Sequence, residues 1–249
     1  MSGEFMPCLE VIADTVEDAI AAESGGATRI AILSHYPSSG ITPSYGMVSR
    51  IREKVKIPLV VLICPHTRGY IPSHEDLEIC LRDIDAFKKL GINDFLLGFI
   101  DQSSNLNVAV IETIKAAHSG IHLHSRVIWE LTRDIRKTVE TTISLGFHSM
   151  RTSGNCLTNS LTNGDFTKNL QNISLIKETA KDRIEILLTG GITARNVETF
   201  LRQTTIYNLQ IGRGVRTPSN SHSPVDPLKV AAIRSKQISI FEEHLLQSR

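Results

Sequence analysis

Short apolar runs recur along the chain at 8–13 (CLEVIA), 29–33 (RIAIL), 58–64 (PLVVLIC), 94–99 (DFLLGF), 121–125 (IHLHS), 149–153 (SMRTS), 184–189 (IEILLT) and 207–212 (YNLQIG). Runs of this length read as buried strands. Between them the period changes to that of helices with one charged face, over 15–25, 44–55, 73–90, 108–118, 134–145, 169–182, 194–204 and 225–247. "DTVED" and "SHEDLE" put a capping residue ahead of acidic first-turn residues, which suits a helix start. Gly91, Gly120 and Gly146 follow helices where a left-handed cap is wanted. Eight alternating β and α units predict an α/β fold, a (β/α)8 TIM barrel forming one domain over residues 1–249. An open doubly wound sheet is disfavoured, because no G-x-G-x-x-G follows the first strand and no Walker A sequence is present. Residues 1–6 are expected to be a leader or appended segment.

Composition narrows the function without changing the fold. A net charge of +1 gives no basic field for nucleic acid. The N-terminus lacks the basic-then-apolar order of a secretory signal. No apolar run approaches the ~18 residues of a membrane span. Cys8, Cys64, Cys80 and Cys156 are scattered, a poor disulfide framework that points to a reducing, cytoplasmic setting. The broad apolar helices are compatible with a homo-oligomer.

In such barrels the chemistry sits at the C-terminal strand ends and the loops beyond, here 34–43, 65–72, 100–107, 153–168 and 213–224. Glu10, inside an apolar run, is a candidate general base or one half of a structural ion pair. The fifth strand carries His122, His124 and Arg126 on one face, the sixth Arg151 and Ser153, the eighth Gln210. His124 and Arg151 are the better functional candidates; His122 reads as scaffold. Arginines in such a set point to a small anionic ligand, with Arg68 beyond the third strand as a further contact. Gly190 and Gly191 in "LTGGIT", with Gly212 and Arg213 in "QIGRGV", suit a phosphate site after strands seven and eight, or simply tight turns. Cys8 and Cys64 could ligate copper(I) if they meet; otherwise they are inert core residues. No strand carries a lysine in its interior or at its C-terminal end, which disfavours Schiff-base chemistry.

The stretches 8–30, 40–59 and 81–101, with "RTSG" (151–154) and "GGITARNV" (190–197), resemble the CutC family over roughly residues 8–215. Its members are described as cytoplasmic barrels of copper homeostasis, so the resemblance implies copper binding or tolerance. Glu10, Asp14 and Arg29 match its opening motifs, His124 its fifth-strand histidine, and Thr152-Ser153-Gly154 its TSG. Ala31 replaces the family's glutamate, Cys64-Pro65-His66 its RPR, Arg151 an apolar residue, and "QIGRGV" its terminal histidine motif. Two readings follow. One is a copper-binding homeostasis protein. The other is a lyase, isomerase or epimerase in which Glu10 moves a proton, His124 is its acid partner, and Arg126 and Arg151 hold an anion.

Overall fold

The structure, a computed structural model, describes residues 6–154 and 166–247. Cys156 and most of the 153–168 loop lie outside them. Eight strands alternate with eight helices: β1 (Leu9–Ala13), α1 (Val16–Ser24), β2 (Arg29–Ile32), α2 (Tyr45–Lys54), β3 (Leu59–Leu62), α3 (His74–Lys88), β4 (Asp94–Leu97), α4 (Val108–Ala117), β5 (His122–Ser125), α5 (Ile135–Ser144), β6 (Ser149–Thr152), α6 (Phe166–Ala180), β7 (Glu185–Leu188), α7 (Val197–Thr204), β8 (Leu209–Ile211) and α8 (Pro227–Gln247). The strands form a closed, all-parallel barrel in sequence order, with β8 returning to β1. The predicted (β/α)8 barrel is therefore the observed fold.

Local chemistry explains the element ends. Thr15 accepts from the Asp18 N–H at 3.0 Å, and Ser73 and Asp76 bond reciprocally across the first turn of α3. Gly91, Gly120 and Gly146 turn the chain through left-handed backbone with φ of 75°, 73° and 73°. Among the described residues, no helix is long and apolar enough to cross a membrane.

Strand alternation divides the side chains into two sets. Leu9, Val11, Ile30, Ile32, Phe95 and Leu123 face the helices and are almost wholly buried with them. Each such side chain contributes roughly 1.5–3 kcal/mol on burial. The opposite parity fills the barrel and is divided in character. Ile12, Ala31, Leu33, Val60, Leu62, Cys64 and Leu96 make a separate apolar cluster on the β1–β4 side. Glu10, His124, Ser149, Arg151 and Gln210, all buried, bring polar groups to the remaining interior. Polar groups so placed require partners, and those partners determine what the site can do.

Candidate active site at the barrel mouth

Glu10 is fully buried beside Arg29 on β2 and Gln210 on β8. Its Oε2 accepts from Arg29 Nε at 2.6 Å; Oε1 accepts from Arg151 Nε at 2.9 Å and from Gln210 Nε2 at 2.7 Å. Burial pushes the carboxyl pKa up, but the Arg151 and Arg29 guanidinium groups outweigh it and bring the pKa down to about 2. Arg29 reaches on to Glu185 at 3.1 Å. Glu10 is thus ion-paired to two arginines.

His124 continues the same network. Its Nε2–H donates to Asp94 Oδ1 at 2.9 Å, so its Nδ1 accepts from the Ser149 hydroxyl at 2.7 Å. Ser149 Oγ accepts in turn from Arg151 Nη1 at 3.0 Å. Burial is the main cause lowering the imidazole pKa, and Arg151 and Arg29 add to it; the Asp94 bond opposes them, leaving about 4. His124 is therefore neutral at physiological pH. An NMR titration should show its ring carbons unchanged from pH ~5 to ~8, the span in which an unperturbed histidine titrates; a midpoint near 6.5 would contradict this network. His122 lies one layer lower, at the N-terminal end of β5. There it is exposed and tilted against His148, with ring centroids 4.4 Å apart.

Above this layer the mouth opens into a pocket of about 260 Å³. Ile12, Leu33, Leu62 and Leu96 form its apolar side; Arg126, Glu130, Arg151, Ser153, Thr189 and Gln210 form its polar side; Gly190, Gly191, Gly212 and Arg213 supply the β7–β8 wall. Of the residues singled out in the sequence, Arg126, Arg151, Ser153 and this glycine–arginine wall meet here. Glu10 and His124 are not on the pocket lining. Glu10 is a doubly paired carboxylate and His124 a neutral imidazole. Arg68 is also placed elsewhere, exposed on the loop after β3. Cys8 and Cys64 do not meet. Cys8 precedes β1 at the N-terminal end of the barrel, while Cys64 follows β3 at the C-terminal end. They do not fit a shared copper ion.

The glycines are steric requirements of the mouth. A Cβ at Gly212 would fall 1.8 Å from the Tyr36 hydroxyl, which accepts from the Arg213 N–H at 3.1 Å. Gly190 adopts φ +80°, and a Cβ there would also press to 2.9 Å from Ser153 Cβ. The Gly190 and Gly191 N–H groups donate to no described residue. Tyr36 packs its ring against Arg216, whose carbon is 5.1 Å from the ring centroid. Arg216 itself is pinned to Asp18 at 2.9 Å and Asp14 at 3.0 Å.

Glu130 is the functional candidate absent from the sequence reading. It lies in a short 3₁₀ turn, Val127–Leu131, just beyond β5. Its Oε1 accepts from the Ser153 N–H at 2.6 Å and its Oε2 from the Ser153 hydroxyl at 2.8 Å. Burial raises its pKa to about 7, against the opposing pull of the Ser153 N–H and hydroxyl. An acidic residue within the apolar "VIWEL" was the available signal.

Fold and pocket define a (β/α)8-barrel protein with a ligand-sized polar mouth. The chain belongs to the CutC family, whose sequence profile matches residues 7–214. A Vibrio campbellii family protein CutC is 30% identical over 236 residues, covering 93% of this chain and 92% of the relative. A human copper homeostasis protein cutC homolog is 30% identical over 193 residues, 78% of this chain and 68% of the relative. Among solved structures, a Streptococcus agalactiae CutC protein superposes with a TM-score of 0.75 at 23% identity, over 83% of this chain and 98% of that one. A Thermotoga maritima phosphoribosyl anthranilate isomerase shares the fold, with a TM-score of 0.63 at 14% identity over 94% of this chain and 100% of its own.

Proposed function

We propose that the barrel mouth is the active site of a cytoplasmic lyase, isomerase or epimerase that moves a proton on a small anionic molecule. Glu130 carries the reading. It is a carboxyl on the pocket wall, oriented by two bonds from Ser153. Its pKa of about 7 populates both the acid and the base near neutral pH. The Gly190 and Gly191 N–H groups, which donate to no described residue, are suited, with Arg213, to an anionic or phosphorylated end of the ligand. Arg151, fixed by Glu10 beneath the pocket, adds positive potential from the floor. The copper link in the human relative's name has no counterpart in the two candidate cysteines, so no step here runs through a metal. The test is proton exchange. A panel of small organic acids and sugar phosphates incubated with the protein in D2O should include a compound that takes up deuterium at carbon. Glu130→Gln should slow that uptake by about 10²–10⁴-fold; an equal rate in the variant would remove Glu130 from the chemistry.

A further inference from the structure

Among the described residues three arginines are buried: Arg126, Arg151 and Arg216. Arg151 pairs with Glu10 at 2.5 Å, and Arg216 pairs with Asp14 and Asp18 at 3.0 and 2.9 Å. Arg126, only 7% exposed, has no carboxylate in bonding reach among the described residues. A desolvated guanidinium without a counter-charge is costly. What holds it is neutral: the Ser39 carbonyl accepts from its Nη2, and the Tyr70 ring lies beneath its carbon at 5.2 Å from the centroid. Arg126 lines the pocket beside Val127 and close in sequence to Glu130.

Ser39 belongs to a loop that bends through left-handed backbone at His35 (φ 58°) and Ser39 (φ 69°), and is closed at its base by the antiparallel Ser34–Ile41 pair. Left-handed conformations at residues other than glycine are disfavoured. Releasing the Ser39 carbonyl gives up one hydrogen bond from the guanidinium to a neutral acceptor. A carboxylate arriving at Arg126 would replace that carbonyl with a charge-assisted pair, and the planar fork of guanidinium matches two carboxylate oxygens. Arg126 supplies one positive charge to the lining, which suits a monoanionic group; a dianionic phosphate is better served by the backbone N–H groups of the glycine wall.

We propose that the pocket takes a small carboxylic acid whose carboxylate docks on Arg126 in place of the Ser39 carbonyl. This deepens the proton-transfer reading and rests on it only for the fate of the ligand; binding is a separate observable. Titration calorimetry with succinate is the probe, with succinamide as the uncharged control and inorganic phosphate as the competing oxyanion. Succinate should bind in the millimolar range or tighter, and succinamide should not. Arg126→Gln should weaken succinate at least about tenfold, with Arg126→Lys between. Without ligand, Arg126→Gln should melt at or above the wild-type temperature, since it removes an uncompensated buried charge. Glu130→Gln should keep succinate binding even where deuterium uptake is lost, which separates this inference from the catalytic one. The assignment is overturned if the wild type takes up no succinate, or if Arg126→Gln binds it unchanged. It is also overturned if phosphate displaces it from Arg126, or if both Arg126 variants lose stability without ligand, which would mark a structural tether.

Discussion

Glu130→Gln is expected to become progressively more stable than the wild type as pH rises from about 4 to about 8. The sign follows from linkage. The folded-state pKa of Glu130 is about 7, against 4.5 for an unperturbed glutamate. Between those values the unfolded chain releases a proton that the folded protein keeps, so raising the pH favours unfolding. The stability this group contributes is complete below about pH 4.5 and is lost as pH rises through about 7, a change of roughly 3 kcal/mol. Glutamine cannot ionise and carries none of that slope. Its carbonyl can still accept from the Ser153 N–H, so the loss of bonds to the Ser153 hydroxyl costs only about 1 kcal/mol at low pH. Urea unfolding of both proteins at matched pH values measures the difference directly, and titrations common to both cancel. Parallel profiles would mean that Glu130 titrates in the folded protein as it does in the unfolded chain, and the case for it as a proton carrier near neutral pH would go with them.

The barrel was legible because its outward-facing strand residues are unmixed. Leu9, Val11, Ile30, Ile32, Val61 and Leu97 pack against the helices and make short runs that helical periodicity cannot imitate. The mouth was legible in part, and the failures share a cause. Alternation gives the face a side chain points to, but not its height along the barrel axis. Glu10 and His124 point inward as expected, yet sit one layer beneath Ile12, Ser153 and Arg126, which reach the pocket. Cys8 and Cys64 lie on inward-parity positions at opposite barrel ends, the first opening its strand run and the second closing its own. Glu130 escaped because a 3₁₀ turn follows neither strand nor helix period. Tyr36, which shapes the β8 wall through Gly212, stands on another such turn, Tyr36–Ser38. The glycines were legible because a close approach or a positive φ leaves a residue-type signature that a carboxylate on a loop does not.

Glu10→Gln should lower stability near neutral pH by about 3–5 kcal/mol, the usual cost of breaking a buried ion pair from one side. Here one carboxylate compensates two guanidinium groups, Arg29 at 2.6 Å and Arg151 at 2.5 Å, and glutamine would leave both short of charge. Arg29 retains Glu185 at 3.1 Å, and Arg151, which is 1% exposed, loses the charge of the carboxylate to which its Nε and Nη2 donate. The pH dependence runs opposite to that of Glu130. A folded-state pKa of about 2, below the unperturbed 4.5, means that Glu10 stabilises fully above about pH 4.5 and loses its contribution as pH falls toward 2. The wild-type advantage over the variant should therefore shrink by roughly 3 kcal/mol on acidification, where the Glu130 comparison grows with rising pH. Two buried glutamates in one barrel thus bend the stability curve in opposite senses, because one is enclosed by guanidinium groups and the other by neutral donors. Equilibrium unfolding of Glu10→Gln that differs from wild type by less than about 1 kcal/mol near pH 7 would show that water or rearranged side chains compensate Arg151. The rigid floor attributed here to the mouth would then not exist.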